Sequence, residues 1–250
     1  MSIKETNRPA VSAAGQLSEW RYGMEIVARI DDRRKPATPF SAWHFLPADG
    51  RLSYPPYTPV SVGQTLTATE RPLAIGEYGL HWSVRPLDAL MHAPGPIICR
   101  VRVSGNVVLD GSLGCSTERT VEQMADATEA LRAFARWCAL QVIDHWDAPD
   151  IVRRYLESGD EDLRDAARDA AWNAMEDAAS YATSHEAWNA AWNAIDREES
   201  WVAARTAAWH ATCAAAYDDV EWHAIRGAMN YELERRLMAL LEGTYATHVR

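Results

Sequence analysis

The stretch STERTVEQMADATEALRAFARWCALQV, residues 116–142, is where the chain changes texture. Upstream of it, short apolar runs are broken by proline and glycine. Downstream, alanine dominates and apolar residues recur every three or four positions. Within it, Thr120-Val121-Glu122-Gln123 reads as a capping box, with threonine at the N-cap and glutamine three residues on. Val121, Met124, Thr128, Leu131, Ala135, Cys138 and Val142 then form one stripe at helical spacing. The reading that follows is an α+β fold: a small mixed or antiparallel sheet domain, then an all-α helical bundle. Its boundaries are a flexible N-terminus over 1–17, a strand-rich α+β domain over 18–119, and an all-helical Ala/Trp-rich domain over 120–250.

Working back from residue 116, the strand formers come in short runs. MEIVARI (24–30), WHFL (43–46), the alternating VGQTLTAT (62–69), YGLHWSV (78–84) and IICRVRV (97–103) are the candidates. Ser104-Gly105-Asn106 is the expected turn before a further strand, VVLD. Pro86 stands where a helix starts, and LDALMHA supplies about two turns before Pro94-Gly95-Pro96 closes it.

Working forward, Asp147 with Pro149 opens a second helix and Gly159 stops it. Asp160, Ser184, Ser200 and Asp219 are expected N-caps for four more, and Gly243 closes the last. A loose motif recurs as AAWNA (170–174), AWNAAWNAI (187–195) and AAWHA (207–211). Its spacing is too irregular for a solenoid. Alanine favours helix and lets helices approach closely, and large indoles set against it fill a close-packed bundle. Trp188 and Trp192 share a helix face, as do Trp201 and Trp209.

Composition excludes some classes. At 48% hydrophobic and 24% charged, the 250 residues suit a folded protein rather than a disordered one. No run approaches a membrane span, and the N-terminus lacks the apolar core of a secretory signal, so the expected compartment is cytoplasmic. Cys99, Cys115, Cys138 and Cys213 lack C-x-x-C spacing and read as reduced thiols. Residues 1–120 carry 13 Lys+Arg against 11 Asp+Glu, a balance of +2, and residues 121–250 carry 12 against 24, a balance of −12. The acidic half repels nucleic acid, which argues against its tryptophans being a base-stacking platform. It either attracts a basic protein surface or is simply a solvated helical face.

There is no Walker loop, G-x-S-x-G or H-E-x-x-H motif. His210 and Cys213 form H-x-x-C on a helix, with His223 nearby, but packing is the expected role and no metal is expected. The more informative region is GLHWSVRPLDALMHAPG, residues 79–95. A strand presenting His81 and Ser83 leads into a proline-started helix holding Ala89. This unit resembles the middle motif of the ADP-ribosyltransferase superfamily. The resemblance implies NAD or another nucleotide as ligand. It implies His44, His81 and Glu118 as catalytic residues: His44 holding the nicotinamide ribose, His81 stacking on the ring, and Glu118 stabilising an oxocarbenium charge. Ser83, Tyr78 and Arg119 would bind the cofactor. The sequence departs from that family where no glycine follows His44, where His81 replaces the commoner tyrosine, and where the last motif has a single glutamate. The other reading of His44 and His81 is that they pack and hydrogen-bond inside a small sheet.

Two further resemblances concern larger segments. TLTA (65–68), GLHWSVRPLDALMHAPGP (79–96), CRV (99–101) and STERTV (116–121) resemble a group of uncharacterised phage and prophage proteins. LRAFARWCALQV (131–142), RDAARDAAWNA (164–174) and AARTAAWHATCAAA (203–216) resemble the all-helical immunity proteins of bacterial polymorphic toxin systems. Together they imply a non-catalytic immunity or counter-defence protein that binds a toxin, a defence effector or its nucleotide signal.

Overall fold

The computed structural model describes residues 39–179 and 181–243. The expected strand at 24–30 and the flexible segment 1–17 lie outside the described residues. Among them, five strands form one sheet: β1 (Phe40–Leu46), β2 (Thr65–Thr67), β3 (Leu80–Ser83), β4 (Ile97–Asp110) and β5 (Leu113–Asp126). All the pairings are antiparallel. β4 pairs with both β1 and β5, and β3 pairs with both β5 and β1, so these four strands close a ring with β2 added beside β5.

The α+β expectation holds: helices follow the sheet. α1 (Pro86–Met91) lies between β3 and β4. After β5 come α2 (Thr128–Gln141), α3 (Asp150–Ser158), α4 (Arg164–Asn173), the single turn α5 (Met175–Ala178), α6 (Ala182–Asp196), α7 (Ser200–Ala215) and α8 (Asp219–Leu241). No helix among the described residues is long and apolar enough to cross a membrane.

Side-chain alternation along β1 divides two cores. Ala42 and Leu46 face the interior of the ring, where Leu66, Leu80, Trp82, Cys99, Val101, Val103 and Val121 pack. Trp43 and Phe45 face the opposite way, into a second core with Leu87, Leu90, Ile98, Leu131, Phe134, Cys138 and the buried alanines of the helical half. Alanine makes that second core close-packed: Ala187, Ala190, Ala191 and Ala194 of α6 and Ala203, Ala204, Ala207, Ala208, Ala211 and Ala214 of α7 are all buried. With no side chain beyond Cβ, the two backbones approach closely. The Trp188 indole donates to the Ala171 carbonyl at 2.8 Å, so its buried N–H is satisfied. The tryptophans do not all fill the core, since Trp172 and Trp209 are exposed.

Two expectations are corrected by long-range pairing. The capping box at 120–123 is strand. Gln123 pairs with Arg100, Val121 with Val101 and Thr120 with Arg102, so a ladder to β4 outweighs the local helix signal. The helix begins at Thr128 instead, where the Asp126 carboxylate accepts from the Thr128 amide (2.8 Å) and hydroxyl (2.6 Å). Leu131, Ala135, Cys138 and Val142 keep the expected stripe and are buried, while Val121 packs inside the ring and Met124 against it.

Likewise, Ser104-Gly105-Asn106 is not the hairpin turn. It is a register shift within one 14-residue strand, and the chain reverses at Gly111-Ser112. Gly105 has φ +74°, and a Cβ there would lie 2.2 Å from Thr117 Oγ1. The Thr117 hydroxyl accepts from the Asn106 amide (2.8 Å), which satisfies the donor the bulge frees from the ladder.

Most other helix signals hold within a residue or two. α1 starts at Pro86, and α3 ends at Gly159. Asp160 caps a 3-10 turn leading into α4. Ser184 lies inside α6, its hydroxyl donating to the His145 carbonyl (2.8 Å), and Asp218 rather than Asp219 caps α8.

Gly114 shows how closely β5 packs against Trp82 of β3. A Cβ there would lie 2.3 Å from the Trp82 ring. Gly114→Ala is expected to cost about 1–3 kcal/mol by overpacking, read as a lower urea midpoint at unchanged m-value.

Candidate functional site

Two of the six candidate site residues, His44 and Arg119, lie in the ring, and both reach the backbone of a third, His81. His44, on the same face of β1 as Ala42 and Leu46, stands across from Cys99 of β4. Arg119 of β5 stands across from Val103 of β4 and Leu66 of β2, both members of the ring's apolar core. It is only 1% exposed. Its Nη1 donates to the backbone carbonyl of His81, and its Nε–H is buried with no partner among the described residues.

His81 is committed to its own loop. Its Nε2 accepts the Gly76 amide at 2.8 Å, which requires the neutral imidazole protonated at Nδ1. It thereby ties the turn closed by mutual Ala74–Tyr78 backbone hydrogen bonds to β3. Gly79, two residues before, has φ +125°, and a Cβ there would lie 2.9 Å from Leu73 and 3.0 Å from Cys115. The glycine and histidine of the GLH string thus have a local structural duty.

The remaining candidates have other partners. The Tyr78 hydroxyl accepts from the Glu70 amide (2.9 Å), and Ser83 is buried on β3. Glu118 is exposed, and its carboxylate accepts from the Ser104 hydroxyl at 3.0 Å. Glu118 and Arg119 are neighbours in sequence, yet one is at the surface and the other in the core. The six residues are thus divided between the ring, the turn at 74–78 and the sheet surface.

Electrostatics sets the protonation states around Arg119. Burial, then the Arg119 charge and His81, hold His44 well below the usual histidine range, while its contact with the His81 backbone acts in the opposite sense. Burial and then Arg119 also lower His81. Burial pushes the Cys99 thiol up to about 12, partly offset by Arg119. Burial likewise raises Tyr54, again against Arg119. Both imidazoles, the thiol and the phenol are therefore uncharged near neutral pH, and the guanidinium sits among neutral groups.

Tyr54 and Cys99 were not legible as neighbours of Arg119. Tyr54 lies in the proline-rich YPPY stretch, which reads only as a connection, and Cys99 reads as a buried thiol. In the helical half, His210 Nδ1 and Glu186 Oε2 are 2.6 Å apart and link α7 to α6. No group of three or more potential metal ligands gathers among the described residues.

A second feature lies on the surface of the helical half. Where α7 turns into α8, Trp209 is 44% exposed, Tyr217 77% and Val220 77%. Trp222 meets Trp209 edge to face at 5.3 Å. Asp218, Asp219 and Glu221 are exposed around them. Asp218 Oδ1 accepts from the Glu221 amide (2.8 Å), and Glu221 Oε2 from the Tyr217 amide (2.9 Å), so the turn is held in shape. The sequence signal for this patch was an apolar residue on each side of an N-cap. Comparison with known proteins gave no match: no family model, no curated protein and no solved structure is similar to this chain.

The lowered histidines make stability depend on pH with a definite sign. The unfolded chain takes up protons at these residues near pH 6.5, and the folded chain only at lower pH. Between those values the unfolded state binds more protons, so stability is full above about 6.5 and falls as pH drops through the folded values. The urea midpoint is expected to fall from pH 6.5 to 5, above the main carboxylate range, and His44→Gln is expected to flatten that slope. A midpoint constant over that range in the unsubstituted protein contradicts the assignment.

Proposed function

We propose that this protein is a non-catalytic binding protein of immunity or counter-defence type, whose acidic helical half captures and neutralises a basic protein effector. The observation that carries this reading is the patch at the α7–α8 turn. Two exposed aromatics and an exposed valine are backed by Trp222 and ringed by carboxylates whose turn is held by its own hydrogen bonds. Interface hot spots favour tryptophan and tyrosine, and a preorganised turn loses little entropy on binding. The balance of −12 over residues 121–250 gives the partner its sign: a basic surface would be steered toward this half. The resemblance of the helical segments to immunity proteins, and of the sheet segments to phage and prophage proteins, points the same way. An effector in the bacterial cytoplasm is the partner this reading names.

The alternative is an ADP-ribosyltransferase-like enzyme or NAD-binding domain using His44, His81 and Glu118. The meeting of His44 and His81 with Arg119 favours it. The exposed position of Glu118, bonded to Ser104, weighs against it.

Native mass spectrometry of the full chain, purified gently from phage-infected or lysogenic cells, tests the first reading. The expected result is a bound basic protein subunit. Trp209→Ala is expected to weaken that complex at least about tenfold, the loss of a hot-spot anchor. Asp219→Lys is expected to slow association and flatten its salt dependence. Asp219 is the better choice than Asp218, whose carboxylate caps α8. A complex unaffected by both substitutions would remove the patch from the interface. NAD turnover abolished by Glu118→Gln would instead favour the enzyme.

A further inference from the structure

We propose that Arg119 is the counter-charge for a small oxyanion, a carboxylate or phosphate group, bound within the sheet ring beside Tyr54. This site is separate from the protein-binding surface of the helical half. The argument begins with the cost of burial. An isolated charge moved from water into an apolar interior is heavily penalised unless it is paired. Arg119 is 1% exposed and is flanked across its strand pairings by Val103 and Leu66.

What the fold gives the guanidinium is incomplete. Among the described residues it has one hydrogen-bond acceptor, the carbonyl of His81, and no carboxylate within salt-bridge distance. Its Nε–H is buried and unpartnered. Every neighbouring group that could in principle carry a negative charge fails to do so near neutral pH: the Cys99 thiol and the Tyr54 phenol are both pushed up by burial. His44 and His81 are held neutral, so they neither supply a negative charge nor add a competing positive one.

A planar guanidinium with free N–H groups is matched to the paired oxygens of carboxylate or phosphate. Tyr54 is the neighbour of Arg119 that reaches the surface. This residue senses the Arg119 charge, yet is 43% exposed, in the loop between β1 and β2. An apolar ligand is ruled out by the unpaired charge. A cation is ruled out by its sign.

The test is thermal unfolding of the full chain at fixed ionic strength, titrating sodium phosphate and sodium acetate against a sodium chloride control. A ligand that binds only the folded state raises Tm saturably. The expected result is a saturable rise of several degrees with phosphate or acetate that chloride does not match. The arm that saturates at lower concentration identifies the oxyanion class. Arg119→Met is expected to abolish the rise, and its folding is checked by far-UV circular dichroism. If that variant does not fold, Arg119→Lys keeps the charge and loses the planar fork, and its midpoint is expected to weaken at least about tenfold. The proposal is overturned by a wild-type rise no larger than that in chloride. It is equally overturned by a rise that survives in Arg119→Met, or by an unchanged midpoint in Arg119→Lys.

Discussion

The structure depends on β1 being buried on both faces. Seven residues alternate between two apolar environments, with Ala42 and Leu46 closing the sheet ring from inside while Trp43 and Phe45 anchor the helices outside. A strand with one solvated face would leave either the ring or the bundle without a floor. Because β1 also pairs with both β3 and β4, its register fixes which side chains enter the ring, His44 among them. A slip of one residue would exchange the two sets.

The sheet and the bundle are joined by more than apolar contact. Leu87 and Leu90 of α1 belong to the same core as Leu131 and Phe134 of α2. The Asn230 side chain of α8 accepts from the Leu87 amide (3.1 Å), and Arg226 of α8 pairs with Asp88 at 3.0 Å, both groups largely shielded from water. The short helix α1 is therefore held between β1 and α8, and the expected boundary near residue 120 falls within β5. Shielded charge pairs contribute geometric definition where apolar packing alone would allow sliding.

The two candidate sites differ in what forms them. Inside the ring, a charged residue is enclosed by pairings that come from four separate strands, and the neutrality of its neighbours follows from that enclosure. On the helical surface, the aromatic patch is built by one turn and two consecutive helices, and its charge is a property of composition. The first is a consequence of topology, the second mainly of local sequence.

That division explains what could be read in advance. Most helix starts and stops were legible because their causes are local: Pro86 at a first turn, Gly159 past a last one, Asp160 at an N-terminus, and Asp219 within one residue of the observed cap. The alanine stripes of α6 and α7 were legible as close-packing surfaces for the same reason, as was the acidic balance of the second half. The strand identity of Thr120 to Gln123 was not legible, because a capping-box pattern is defined by four residues while its replacement is a ladder to residues 100–102, some 20 positions away in sequence. The bulge at Gly105 was likewise decided by Thr117 across the hairpin. Arg119 could be named only as a candidate, and its burial in an apolar ring could not be read. Sequence by itself determined the class of fold, most of the helical segments and the sign of the charge. Tertiary structure alone decided which polar residues are enclosed and which are exposed, because burial depends on the faces that distant strands present to one another.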